Sequence, residues 1–246
     1  ASGWNTKGMM KRIAMSATYR QRSSTVSADP ENRWLGRAPV KRLTAEMLRD
    51  QSLATSGLLV EKLGGPSVKP YQPAGLWDIA MGKPNYDQSH GADLYRRSLY
   101  TFWKRTVPPP SLMTFDAADR SYCTVRRQST STPLQALTLL NDPQIVEAAR
   151  FIAQRMLKEG GETNEQQLAW AFRLITTRPA TPRELAILAQ MLTEQRSLFA
   201  ADEAAVQKLL TVGESKPDTG LNPTDLAART VVALAILNHD EAVHTR

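Results

Sequence analysis

From residue 132 to the end of the chain, apolar positions recur at three- and four-residue intervals, and each run opens in nearly the same way. A side chain able to cap a helix comes first, then a proline, then an acid or amide two residues on. Thr132-Pro133-Leu134-Gln135 and Thr181-Pro182-Arg183-Glu184 are capping boxes with proline at the first helical position. Asn222-Pro223-Thr224-Asp225 is a looser version, Asp142-Pro143 lacks the box, and Thr163-Asn164-Glu165-Gln166 is a box without proline. The pattern predicts helices at about 133–140, 143–159, 164–176, 182–199, 202–212 and 223–237. In the last, Leu226, Val231, Leu234 and Leu237 share an apolar face, and Ala227, Ala228, Ala233 and Ala235 allow close approach.

The first half is less regular. Residues 4–15 have helical spacing through Met9 and Ile13, and residues 17–24 read as a helix end running into a loop. Asp29-Pro30-Glu31-Asn32-Arg33 is a turn or a short helix start. A second helix is expected from Val40 to about Leu59, with Leu43, Met47, Leu48, Ala54 and Leu58 as its apolar set. Gly64-Gly65-Pro66 ends it, and residues 64–93 hold too many glycines and prolines for a long regular element. Tyr71, Trp77 and Tyr86 argue that this loop packs onto something. Residues 97–104 favour a short strand by composition, paired with 121–127, with helix as the alternative. Pro108-Pro109-Pro110 is expected to be an extended spacer.

Composition adds bounds. The chain has 246 residues, 41% hydrophobic and 22% charged, in the range of globular proteins. No apolar run approaches the roughly 20 residues of a membrane span. The start at Ala1, close to a helix, reads as a fragment cut from a longer protein whose N-terminal neighbour is missing. A single cysteine, Cys123, excludes an internal disulfide framework, and one Cys with three His argues against a zinc site, so no metal is assigned. The net charge of +7 is uneven: residues 1–50 carry +6 and residues 94–127 carry +5, whereas residues 128–246 carry −3. Arginine dominates the basic part, which suits fixed pairing with carboxylates or other oxyanions. Nucleic acid is set aside because no nucleic-acid motif accompanies the charge. The plainer explanation is that these arginines bridge internal loops or face absent domains.

Chemistry, if present, belongs in residues 87–127. Asp87 and His90, beside Asp93, Arg96 and Arg97, are acid/base candidates, against the plainer reading of a loop held by salt bridges and Asx turns. Asp116 is the third catalytic candidate. With Asp119, Arg120, Arg126 and Arg127 it offers a carboxylate beside guanidiniums, suited to an anionic or sugar-like ligand. The alternative, favoured, is a buried ion-pair network pinning this block to the helical half. Arg96, Arg97, Trp103, Arg126 and Arg127 are the ligand-binding candidates. Trp77, Tyr100, Phe102 and Trp103 form either a sugar-stacking platform or, more simply, core. Cys123 lacks a Cys-His motif and reads as a small buried thiol. Asn238-His239-Asp240-Glu241 reads as a helix cap with solvated charge rather than a metal site.

Several segments resemble one family. They are SATYRQRS at 16–23, DPENRWLGR at 29–37, RLTAEMLRD at 42–50 and GGPSVKPYQPAGLW at 64–77. YRRSLYTFWKRTVPPPSLMTFDAADRSYCTVRR follows at 95–127, then TPLQALTLLNDPQIVEAAR at 132–150 and LNHDEAVHTR at 237–246. Together they resemble the planctomycete-specific C-terminal domain of unknown function that is often appended to planctomycete cytochrome-c-type proteins. Ser129, Ser131 and His239 depart from the family's usual residues. The resemblance implies an extracytoplasmic location, periplasmic or secreted, and a natural C-terminus at the end of the chain. It also implies that any haem belongs to another domain, so no cofactor is expected within this chain.

The expectation is therefore a mainly α chain, a helical bundle with a long irregular Arg/aromatic-rich insert and room for one short β-hairpin. It forms one C-terminal domain over 1–246, with N-terminal helices at 1–63, the irregular block at 64–131 and the bundle at 132–246. As a binding or scaffolding module it would dock on the N-terminal domains of its own full-length protein and take a polysaccharide or other anionic ligand. A hydrolase-like enzyme using residues 87–127 and an electron-transfer-associated module are the alternatives.

Overall fold

The computed structural model describes residues 3–23, 29–79, 82 and 85–245. The chain is mainly α, 53% helical, as the hydrophobic pattern requires. It separates into two compact units, Ala1–Leu43 with His244–Arg246, and Thr44–Val243.

In the first unit, helix α1 (Thr6–Ala14) is capped by the Asn5 side chain, which accepts from Gly8 N, and none of its residues is buried. Asp29 and Asn32 organise the following turn. Asp29 accepts from the Arg33 and Trp34 amides, and Asn32 donates to Arg37 O. Strand β1 (Lys41–Arg42) pairs antiparallel with β2 (His244–Thr245).

The second unit starts at Thr44, whose hydroxyl caps α2 (Ala45–Ser56), so this helix begins five residues later than its apolar pattern suggests. Its buried face is also a different one. Ala45, Leu48, Arg49, Ser52, Leu53 and Ser56 face inward, whereas Met47 and Ala54 are exposed. The inward face includes a guanidinium and two hydroxyls, which a count of apolar residues cannot detect. Gly57, at φ 81°, closes the helix in the left-handed region that glycine adopts without strain.

Short helix α3 (Pro110–Thr114) begins on the third proline of the run, so only Pro108 and Pro109 extend; proline's fixed φ suits a first helical position. Then follow α4 (Pro133–Asn141), α5 (Pro143–Glu159), α6 (Asn164–Thr176), α7 (Pro182–Ala201), α8 (Glu203–Leu210), α9 (Pro223–Leu237) and α10 (Asp240–Val243). The capping boxes at Thr132, Thr163 and Thr181 form with both reciprocal bonds. Asp142 and Asn222 cap α5 and α9. Of residues 238–241, expected to be a helix cap with solvated charge, Asn238 does cap the end of α9, but Asp240 starts α10 and Glu241 pairs with Arg178.

Helices α5 and α9 form the centre and make the most extensive helix–helix packing. Ala148, Ala149 and Ala153 on α5, and Ala227, Ala228 and Ala233 on α9, are wholly buried, and their small side chains let the backbones come close. Helices α7 and α8 pack on α9, α6 contacts α5, α7 and α9, and α2 packs on α5. Residues 57–131 contain 3-10 turns at Leu76–Ile79, Gly91–Tyr95 and Ser98–Tyr100. The hairpin anticipated between 97–104 and 121–127 does not form. The backbone of 95–102 pairs instead with Val60 and Val68, through Val60 N to Tyr95 O, Val68 N to Tyr100 O and Phe102 N to Val68 O.

Candidate functional site

The irregular block has few backbone partners of its own, and two arginines supply donors to its carbonyls while a third serves the loop between α8 and α9. A guanidinium carries five N–H groups on a rigid fork, so one side chain satisfies several oxygens that no strand pairs. Arg96, 1% exposed, donates to Pro66 O at 2.9 Å, Lys62 O at 3.1 Å and Gly64 O, and lies 3.9 Å over the Tyr100 ring. Arg49 of α2 donates to Arg96 O at 2.8 Å, Leu94 O at 2.9 Å, Ser98 Oγ at 3.3 Å and Gln144 Oε1 at 2.9 Å. Burial lowers the Arg49 pKa to about 10, against the fields of Asp50 and Asp142 that raise it. Arg150 of α5 donates to Val212 O and Ser215 O, and burial lowers its pKa as well.

Glu147, one turn before Arg150 and wholly buried, accepts from Tyr95 OH at 2.9 Å, Tyr71 OH at 3.0 Å and Ser215 N at 2.7 Å. Arg150 Nη2 stands 3.8 Å from it. Burial, with the adjacent carboxylate, pushes both tyrosine hydroxyls above their ordinary range, so they remain donors. Sequence reasoning passed over Arg49, Glu147 and Arg150. Their signal was available: each is a charge set inside the inward stripe of a helix, and Glu147 and Arg150 flank Ala148 and Ala149.

The acid/base candidates each have a different setting. His90 Nδ1 lies 2.7 Å from Glu214 Oε2, and Glu214 Oε1 accepts from Gly91 N at 2.6 Å. Those bonds, first the Gly91 amide and then His90, draw the Glu214 carboxyl below its ordinary range. Asp87 is exposed. Asp116 accepts from Thr130 N at 2.8 Å and from its hydroxyl, and Asp93 faces Lys62 at 4.0 Å. Of the ligand-binding candidates, Arg96 is committed to loop carbonyls and Arg97 pairs with Asp50 at 3.1 Å. Arg127 reaches both oxygens of Glu46 on α2, at 2.7 and 3.0 Å. Burial alone would raise Glu46, but this guanidinium holds it below its usual range.

The aromatics separate into several sites. Trp77 is buried against Tyr86 and Phe102, Tyr100 lies under Arg96, and Trp103 donates its indole N–H to Asp119 O at 3.0 Å with Arg120 stacked 4.8 Å above. Residues 120–134 are all exposed, so the buried ion-pair network expected around Arg120, Arg126 and Arg127 gives way to surface pairing. Cys123, expected to be buried, is exposed within this segment. The segment is tied down near both ends, by Trp103 and Asp119 before it and by Asp116–Thr130 and Gln135–Thr130 after. Between the ties, Tyr122, Val125 and Arg126 point outward, and Arg126 has no ion-pair partner among the described residues.

The sequence model of PSD1, a protein family of unknown function (DUF1553), matches residues 1–192. The chain belongs to the DUF1553 family. The match takes in every segment up to residue 150 that carried the resemblance, while the closing segment 237–246 lies beyond it. No curated protein and no solved structure matches this DUF1553 chain. Among its described residues, no three His, Cys, Asp or Glu side chains gather as a metal site, and no helix is long and apolar enough to cross a membrane.

Proposed function

We propose that this DUF1553 chain is a binding module that presents residues 120–134 to an anionic polysaccharide. The observation that carries the reading is the segment itself: continuously exposed, anchored near both ends, with three arginines and no acid. Arg120 stacked on Trp103 and the outward Tyr122 and Arg126 give a sugar ring flat faces and its acid group guanidinium donors. Asp87, His90 and Asp116 each have their own surroundings, which favours binding over hydrolysis. The extracytoplasmic placement, and docking on N-terminal domains of the same protein, enter this proposal from the family resemblance.

The test is affinity electrophoresis or calorimetry with dextran sulfate and polygalacturonate against neutral dextran. Binding to the two charged polymers, weakened by salt and reduced about tenfold in an Arg120→Gln, Arg126→Gln double variant, is the expected result. Equal retention on neutral dextran, or full retention by the double variant, defeats the reading.

A further inference from the structure

A second site lies inside the unit, independent of that surface. A cavity of about 40 Å³ sits where α2, α3, α4 and the start of α5 meet residues 70–71 and 101. Leu48, Leu112, Phe115, Leu139 and Ile145 give it apolar walls. Three polar side chains also line it: Arg49, Thr101 and Gln144, which are 8%, 7% and 3% exposed. Each keeps one hydrogen-bonding atom without a partner among the described residues, namely Arg49 Nε, Thr101 Oγ1 and Gln144 Nε2. The other polar linings are engaged. Tyr71 OH donates to Glu147, Thr138 donates to Leu134 O, and Ser111 bonds the Asp142 carboxylate.

The chemistry of the unpartnered atoms is specific. Gln144 Oε1 accepts from Arg49, which fixes its other end as the NH₂ group, a donor. Arg49 Nε–H is a second donor, and the Thr101 hydroxyl a third. The charge is also uncompensated by contact, because every hydrogen-bonded acceptor of Arg49 is a carbonyl, an amide or a hydroxyl oxygen. The nearby carboxylates, Asp50 and Asp142, act on Arg49 through their fields, so its free Nε–H still favours a ligand with acceptor oxygens.

We propose that this cavity binds a small carboxylic acid, whose carboxylate accepts from Arg49 Nε, Gln144 Nε2 and Thr101 Oγ1 while its carbon chain rests on the apolar walls. The volume admits about three water-sized positions, which is the bulk of a two-carbon acid or of the acid end of a longer molecule. Asp142 is the charged neighbour on the same wall. Burial pushes its carboxyl up, while the Gln144 amide, the Arg49 charge, Ser111 and the Ile145 amide draw it down, so a bound carboxylate would share the field of Arg49 with it. The cavity differs from the residue 120–134 surface in size, walls and donors, so either proposal stands without the other.

Acetate is the probe, titrated into the whole chain and followed by thermal melting and by NMR shift changes, with chloride at matched ionic strength and neutral acetamide as references. A saturable rise in melting temperature with acetate, at about millimolar affinity as so few atoms allow, is expected. Acetamide and chloride should give little. Ala45→Met, which fills the cavity from the first residue of α2, should abolish the effect. Thr101→Val, which keeps the shape and removes one donor, should weaken acetate about tenfold. Should Ala45→Met fail to fold, Thr101→Val decides. Acetamide binding as well as acetate, an acetate effect matched by chloride, or unchanged affinity in Thr101→Val overturns the proposal.

Discussion

Helix α5 buries most of its length, Glu147 and Arg150 included, while residues 120–134 are all exposed. Both regions are rich in charge, yet the same residue types do different work in them. Inside, a carboxylate and guanidiniums take up tyrosine hydroxyls, a loop amide and loop carbonyls, and so bind an irregular chain to a helix. Outside, guanidiniums meet a carboxylate on α2 and an indole face, and Arg126 has no ion-pair partner among the described residues. Removing a charge should therefore be costly in the first region and nearly free in the second, because only the buried partner has no water to turn to.

The largest effect should come from Glu147→Ala. It strands Tyr71 OH, Tyr95 OH, Ser215 N and the neighbouring Arg150 charge, and a loss of about 3–5 kcal/mol is expected in urea unfolding. A loss below about 1 kcal/mol would mean that water reaches the cluster and that the two regions are alike. Next comes Gly213→Ala. Gly213 has φ 89°, and a Cβ there would overlap the Glu147 carboxyl group. Backbone strain and crowding together should cost about 2–3 kcal/mol, measured in the same way.

These positions also separate what could be read in the sequence from what could not. Helix starts depend on three or four consecutive residues, so Thr132, Thr163 and Thr181 announced their helices before any tertiary contact was known. The irregular block depends on bonds across long separations, such as Arg49 to Leu94 O or Arg96 to Lys62 O, and no local pattern encodes which carbonyl an arginine will meet. The aromatic run at 97–104 has strand composition, but its long-range backbone partner, Val68, lies more than thirty residues earlier. The candidate cavity was hidden for the same reason. Arg49, Thr101 and Gln144 meet only after α2 and α5 are packed, and Gln144 becomes a fixed donor only through its bond to Arg49.

Between the extremes stands Arg178, partly exposed and shared by Glu184 and Glu241. The Arg178 hydrogen bond is the main influence that brings Glu184 down to about 2, against a burial effect that raises it. A lowered folded-state pKa stabilises above the unfolded value of 4.5, and the stability is lost as pH falls through that range towards 2. Glu184→Gln keeps the capping box with Thr181 and removes the ion pair. The variant should be about 1 kcal/mol less stable at pH 7, and the gap to the parent should narrow as pH falls from 4.5 through about 2. A gap that does not narrow over that range would assign the effect to the cap rather than to the charge.

The smallest expected effect is at Arg126, and it tests the comparison from the other side. Arg126 is exposed, has no ion-pair partner among the described residues, and lies in a segment whose ties are made by other side chains. Arg126→Ala should therefore change unfolding free energy by less than about 0.5 kcal/mol. Arg127→Ala, which breaks the exposed pair with Glu46, should cost only slightly more, about 0.5–1 kcal/mol. If either matched Glu147→Ala, the segment would be part of the folding unit's interior bonding after all. If both leave stability in place while retention on dextran sulfate drops, charge in residues 120–134 is held for a partner, as charge on α5 is held for the fold.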